Sequence, residues 1–464
     1  MSDASTSGDT PRNPLTKAMS ISVAILITLI ALFAGLAFFQ GPKLAAAQIN
    51  VEQAVKDPNT QLRLFANQAI AEVKPDQVRI SPAVPFSVSR TDDVLVIQFE
   101  ERLAHDTEYT VEVEAIRSLY RDVESTFEHK FATKPAVVHY LDRADPASAT
   151  GEDSIVRVSL DGGVQEDVFT APRIQEFAMV GDVIAVTTAD DAGRVSLSLV
   201  NPADGVTDQL DLPAEVSSIT ELQSNSDGTF LVFSAAPSEE NLLFAVDLND
   251  SRQPTAVLGI DGTPVQHLDW LLLPDSNDVI VQAPNESIVR IDLTGTAPVE
   301  PVGQYAGLES VSLDGSQLVV RDMFGLISLT LADRQEERFT ASPLFEVEPQ
   351  VGDVVLIGEN LARVQKVAIF DEASGRFSSF VALDRDGESQ ALLENPAQLG
   401  SLGDFSVSPN GQYLAATVVP NVAASVSDQY PVRSNSTSVT TVIVDIESGL
   451  IRGSMTGFQL DWKN

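Results

Sequence analysis

A chain of 464 residues with 66 acidic and 29 basic side chains, net charge −37, is too long for one ordinary core and too acidic for a nucleic-acid partner. Its hydrophobic share of 44% is enough to build packed cores, which excludes wholesale disorder. There is no cysteine, which excludes disulfides and thiolate metal sites, and the four histidines (His105, His129, His139 and His267) lack ligand spacing.

Residues 1–17 are polar and rich in Ser, Thr, Asp, Gly and Pro, the composition of a disordered tail. Residues 18–39, AMSISVAILITLIALFAGLAFF, then run for 22 positions without a charge. At about 1.5 Å per residue such a helix spans a hydrocarbon core of about 30 Å. Arg12 and Lys17 precede it and Lys43 alone follows, so the positive-inside bias places the N-terminus in the cytoplasm. A cleavable signal peptide would have a shorter apolar core closely followed by a small-x-small site. Ala45-Ala46-Ala47 offers the site, but Gly41-Pro42-Lys43 intervenes, so a retained signal-anchor is expected. The first partner is therefore a lipid bilayer, contacted through residues 18–39 in a single pass of the plasma membrane. The rest of the chain lies outside the cytoplasm in this reading.

From residue 47 to 135 the pattern changes to short alternating runs. Leu62-Arg63-Leu64-Phe65-Ala66, Val94-Leu95-Val96-Ile97-Gln98-Phe99 and Tyr109-Thr110-Val111-Glu112-Val113 are β-branched, aromatic and bounded by turn residues, as sandwich strands are. The order LRLFANQAI, VRISP, LVIQFEERLAHDTEYTVEV and FEHKFATKP resembles the bacterial Ig-like domain of the surface-layer-protein type. Leu103 to Val111 and the closing Phe131 and Thr133 carry the resemblance. It implies a β-sandwich spacer or adhesion unit, with His105 and Tyr109 as turn and core residues.

Residues 136–464 repeat. Seven apolar runs end near Asp161, Asn201, Asp247, Asp292, Thr330, Asp371 and Asp445, spaced by 40, 46, 45, 38, 41 and 74. Most spacings match the 40–50 residues of a propeller blade, and the last signals insertions. Asp227-Gly228, Asp314-Gly315 and Asn410-Gly411 supply hairpin turns ahead of several runs. Leu268-Asp269-Trp270 opens one repeat and Leu460-Asp461-Trp462 recurs at the C-terminus. The last strand is thus expected to join the first repeat, with residues 458–462 beside residues 137–141. A closed ring removes the open edge. The repeats, with Ser408-Pro409-Asn410-Gly411-Gln412-Tyr413-Leu414, look like the Tol-system and quinoprotein-like group, which implies a seven-bladed β-propeller. The fold expected is an all-β ectodomain, Ig-like sandwich plus propeller, behind one transmembrane helix.

Chemistry is sparse. The chain has no Gly-x-Ser-x-Gly elbow, no Walker sequence and no Gly-x-Gly-x-x-Gly. Asp384-x-Asp386-Gly387-Glu388 has part of a calcium loop but lacks the distal Glu, and an ordinary Asp-Gly turn explains it better. Two Trp and six Tyr are thin for a sugar-stacking enzyme. Neither a cofactor nor an activity is expected. Two segments read as insertions. Residues 384–401 join the sixth and seventh repeats. Residues 420–438 interrupt the last repeat, with Asp428, Tyr430 and Arg433 as candidate partner-binding residues in an exposed loop. Low Lys with frequent Ala and Val suggests a bacterial chain. The expected function is a membrane-anchored extracytoplasmic binding or scaffold protein of the bacterial envelope, its loop face holding a protein or glycan. The alternative is a carboxylate-dependent hydrolase or lyase acting on envelope glycans in the propeller channel. Channel-facing carboxylates over an aromatic floor would favour the enzyme.

Overall fold

The computed structural model describes residues 19, 21–29, 41–144, 151–190, 192–214, 216–235, 241–358, 360–372, 375–395 and 400–462. The described residues are 54% strand and 5% helix, so they are mostly β. Met19 and residues 21–29 are helical, but among the described residues no helix is long and apolar enough to cross a membrane. The expected tail, residues 1–17, and the remainder of the expected span 18–39 lie outside the described residues. Two compact units follow: one takes in residues 1–103 and 107–133, the other residues 104–106 and 134–464.

The first unit has seven strands in two sheets: β1 (Leu44–Gln48), β2 (Gln61–Ala66), β3 (Val78–Ser81), β4 (Phe86–Thr91), β5 (Val94–Phe99), β6 (Glu108–Ser118) and β7 (Arg121–Ala132). One sheet runs β1-β2-β5-β4 and the other β3-β6-β7. Alternation decides which side chains enter the core. Leu62 and Leu64 are buried and Arg63 between them is exposed, while Leu95, Ile97 and Phe99 on the paired strand form the neighbouring row on the same face. Val111, Val113 and Phe127 from the second sheet close the same core, and Tyr109 stacks on Phe131 with ring centroids 5.4 Å apart.

The second unit consists of seven four-stranded antiparallel sheets, the architecture of a seven-bladed β-propeller. Blades 2 to 7 occupy residues 174–210, 219–256, 269–304, 307–339, 350–394 and 401–456, each a meander from innermost to outermost strand. Asp227-Gly228, Asp314-Gly315 and Asn410-Gly411 turn the chain between the first two strands of blades 3, 5 and 7. Each glycine sits at positive φ (69°, 72° and 69°), and the preceding side chain accepts the backbone N–H two residues on.

Blade 6 corrects two expectations. Asp371 ends its second strand (Arg363–Asp371), so that marker stands one strand early, and the third strand is Arg376–Arg385. Residues 388–394 are the outermost strand rather than an insertion. Asp386-Gly387 forms the two-residue turn between these strands, with both residues at positive φ and Arg385 opposite Glu388. The irregular part of the long spacing is residues 420–438, between the second (Tyr413–Val419) and third (Thr440–Asp445) strands of blade 7.

Blade 1 is built from both ends of the unit. Its outer strands are Val137–Asp142, Asp153–Ser159 and Glu166–Ala171, and its innermost is the C-terminal Phe458–Asp461. Phe458 pairs with Leu141 and Asp461 with His139. Gly457 must be glycine. Its φ is +129°, and a Cβ there would lie 2.5 Å from the Leu141 carbonyl oxygen. Phe458 is buried among Leu141, Ile155, Ile174 and Phe177. Asp461 Oδ2 accepts the Met179 N–H of blade 2 at 2.9 Å. Trp462 stacks on Tyr413 of blade 7 and donates to Ser406 Oγ at 3.0 Å. Deleting residues 458–464 therefore strips blade 1 of its inner strand and of ties to both neighbours. The loss should be about 4 kcal/mol or more, since Phe458 alone is worth about 3, and the bared edge should associate. Thermal unfolding and light scattering check this; an unshifted, monodisperse truncation would overturn the closure.

Candidate functional site

The inner strands of blades 2 to 7 share a feature. Each carries an acidic residue near its start or bulge: Glu176, Glu221, Asp269, Glu309, Asp353 and Asp404 in blades 2 to 7. In blade 1 the inner strand carries Gln459 next to Phe458, with Asp461 beyond it accepting the Met179 N–H. Five of the six acidic strands shift register in this region, as does the strand of Gln459. A bulge re-aims a side chain out of the strict in-and-out alternation. Glu221 and Gln459 adopt φ of +57° and +52°, positions of backbone strain of the kind that gathers at functional sites.

A cavity of about 660 Å³ is lined by two of these acidic residues, Glu221 and Asp404. Glu221, Asp404, Ser406, Thr441, Gln459 and, from the insertion, Arg433 are among its lining residues. No Trp or Tyr lines it; of its two phenylalanines, Phe458 is 5% exposed. A second cleft, about 320 Å³ in the first unit, has Arg63 as its one charged lining residue.

The carboxylates differ in what neutralises them. Glu221 Oε2 accepts from Trp270 Nε1 and from Ser234 Oγ, both at 2.8 Å. Glu309 accepts from Arg321 Nε at 2.6 Å. Glu176 is fully buried, accepts the Leu222 N–H at 3.0 Å and forms an ion pair with Arg433. Burial pushes its carboxyl above the ordinary range, against the pull of Arg433. Asp269 accepts the neighbouring Trp270 N–H at 2.8 Å. Burial first, and then repulsion from Glu221 and Glu309, push it up to about 6. His267 lies two residues before it, 5% exposed, with neither ring nitrogen hydrogen-bonded. Burial lowers the His267 pKa while the Glu221 charge opposes that shift.

The three residues singled out from the sequence are not on a free loop, and here the structure corrects the expectation. Asp428 is buried and pairs with Arg143 of blade 1 at 2.6 Å, each side chain 3% exposed. Arg143 also donates to the carbonyls of Gln175 (2.7 Å) and Ile174 (3.2 Å) and lies 4.1 Å from the Tyr430 ring centroid. The Tyr430 hydroxyl donates to Asp153 Oδ2 at 2.7 Å. Burial, and then the Asp153 carboxylate, hold that phenol well above its usual pKa. Arg433 alone reaches the cavity. Replacing all three by alanine would strand Arg143 as a buried cation, at about 3–5 kcal/mol, so the segment is integral to the fold. Asp384, the first residue of the calcium-like run, is also structural. It is buried against Arg363 at 2.6 Å and accepts from Ser342 and Gln365. Among the described residues no cluster of His, Asp or Glu has metal-holding geometry.

Comparison with known proteins gives a fold-level likeness only. No family model matches the chain, and no curated protein matches it. Among solved structures, TolB from Acinetobacter baumannii is similar at 13% identity and TM-score 0.39, covering 83% of this chain and 82% of that one. The β-propeller domain of the Trilobed protease from Pyrococcus furiosus is similar at 11% identity and TM-score 0.41, covering 72% and 93%. A putative 6-phosphogluconolactonase from Bacteroides uniformis stands at 12% and 0.42, covering 70% and 99%. The propeller assignment itself rests on the sheet topology.

The Asp269 carboxyl gives a pH test. Its folded pKa, about 6, lies above the ordinary value of 3.8, so the folded state holds the proton more tightly than the unfolded state. The stability this contributes is present below about pH 4 and is lost as pH rises through about 6. The group is partly solvated, so the loss is on the order of 1 kcal/mol after screening. Asp269→Asn should therefore raise the melting temperature at pH 7.5 and leave it unchanged at pH 4. Equal effects at both pH values would refute the assignment.

Proposed function

We propose that this is a membrane-anchored, extracytoplasmic binding protein of the bacterial envelope whose propeller takes a cationic side chain of a protein partner into its axial cavity. The observation that carries this is that Glu221 and Asp404, from two inner strands, line one cavity whose one basic lining residue, Arg433, is paired with the buried Glu176. Such a cavity favours Lys or Arg because a seated cation is attracted to Glu221 and Asp404, which the lining answers with Arg433 alone. Residues 18–39 would serve as the anchor. The first unit, through its resemblance to the Ig-like domain of the surface-layer-protein type, would serve as a spacer.

One observation favours the glycan hydrolase or lyase as a second reading. Asp269, held near pKa 6 beside Glu221 and Glu309, has the character of a general acid next to an ionised partner. Against it stands the cavity wall, which lacks the Trp or Tyr platform on which sugars stack.

Two measurements test the proposal. A neutral Gly-Ser peptide with one central arginine should bind, and its glutamine counterpart should not. The variant carrying Glu221→Gln and Asp404→Asn should lose about tenfold in affinity, as expected for two partly screened charges. Equal binding of the two peptides would sink the cation reading, while release of reducing ends from envelope glycans, abolished by Asp269→Asn, would establish the enzyme. For the anchor, a reporter that fluoresces only in the cytoplasm, fused after Asn464, should stay dark. A bright fusion would overturn the topology.

A further inference from the structure

The insertion of residues 420–438 is a small folded hairpin. Ser427 bridges to Ser436, the Asp428 N–H donates to the Asn435 carbonyl at 2.9 Å, and the Thr437 N–H to the Val426 carbonyl at 2.9 Å. Its tip is clamped by the buried Arg143–Asp428 pair and by Tyr430 on Asp153. Arg143 additionally holds the carbonyls of Val432 (3.2 Å) and Arg433 (3.1 Å). The backbone of Arg433 is therefore fixed, at a φ of +46° that non-glycine residues seldom adopt. Its side chain differs: it is 44% exposed and extends along the cavity to Glu176, which is fully buried.

We propose that Arg433 is an internal ligand, a guanidinium that the chain supplies to its own cavity and that a partner's cation must displace. The inference rests on the cation-binding reading above. Three observations carry it. The arginine is the only basic residue among those lining the cavity, and it comes from a segment that departs from the blade pattern. Its side chain is partly in solvent and can rotate outward, whereas Glu176 has no route to water of its own. The clamp through Asp428 and Tyr430 holds the hairpin whether or not the guanidinium is seated, so displacement needs a side-chain rotation and no opening of the fold. Arg433 then acts as a threshold: partners that cannot outcompete a tethered guanidinium are rejected.

The experiment must separate competition from simple charge. Arg433→Gln vacates Glu176 and should tighten binding of the single-arginine peptide by about tenfold. Two double variants restore the wild-type charge of the cavity. Arg433→Gln with Asp404→Asn leaves Glu176 vacant and should still bind more tightly than wild type. Arg433→Gln with Glu176→Gln removes the vacated carboxylate and should show no gain. Equal affinities for the two doubles would overturn the internal-ligand role and leave a mere charge effect. Should Arg433→Gln fail to fold, Arg433→Lys keeps the charge but loses the Nε contact to Glu176, and about a threefold tightening is expected; unchanged or weaker binding by that variant would count against the proposal. If the wild-type protein and every variant ignore the peptide, the cation-binding reading itself falls. Binding by wild type that does not respond to position 433 removes the internal ligand alone.

Discussion

The second unit depends on one strand of four residues. Seven meandering sheets have no intrinsic reason to stay in a ring, because the blade at the start of the unit lacks its innermost strand until Phe458–Asp461 returns to it. Without that return, Val137–Asp142 presents an unpaired edge in the middle of the structure, and unpaired strand edges recruit other chains. The pairing is short, so side chains extend it. Phe458 fills the core between blades 1 and 2, Asp461 caps an N–H of blade 2, and Trp462 lies on Tyr413 of blade 7. The same return places Gln459 in the acidic ring, where its amide donates to the Phe177 carbonyl at 2.9 Å. Closure and site are thus made by consecutive residues.

The buried charges of the propeller fall into two groups that differ in how well they are satisfied. Asp384 with Arg363, and Asp428 with Arg143, have full counter-charges and several further donors or acceptors. These are the conditions under which a buried ion pair is tolerated. In the axial ring the provision is uneven. Glu176 and Glu309 have arginines, Glu221 has two neutral donors, and Asp269 has the adjacent backbone N–H. The shortfall collects at Asp269, whose carboxyl is pushed up by burial and by its acidic neighbours. A group left under-compensated inside an otherwise well-satisfied fold is where stability gives way to binding or chemistry.

Much of the propeller was legible in the sequence because its turns are local. Asp-Gly and Asn-Gly fix a hairpin within four residues, and the recurrence of Leu-Asp-Trp linked the chain's end to an inner-strand position. Blade 6 was misread by one strand because Val367 to Asp371 and the strand that follows it are both apolar runs, and periodicity cannot rank two adjacent strands. The ring was missed for a different reason. One acidic residue per repeat does not stand out where 66 acidic residues occur. The signal was nevertheless there, as an apolar residue, one intervening residue and then an acid in Ile174–Glu176, Ile219–Glu221, Val351–Asp353 and Leu402–Asp404. Asp428, Tyr430 and Arg433 were found for their types, but their partners Arg143, Asp153 and Glu176 lie more than 250 residues away, beyond any local pattern.

The large negative charge and the acidic ring do different work. Residues 135–464 carry 49 acidic and 16 basic side chains, and most of that excess is on the surface, where salt screens it within about 8 Å at physiological strength. Such a field draws basic segments toward the propeller at low salt and loses much of that effect in a saline exterior. Glu176 is fully buried and Glu221 partly so, and their pull on a seated cation is screened less than that of the exposed Asp404. Under the proposed cation-binding role, a rejected partner and an accepted one would share the same net charge and differ only in whether one arginine or lysine reaches past Arg433. Discrimination by the cavity, as proposed, would persist where discrimination by overall charge fades, and it would depend on Arg433, the one basic residue among those lining the cavity.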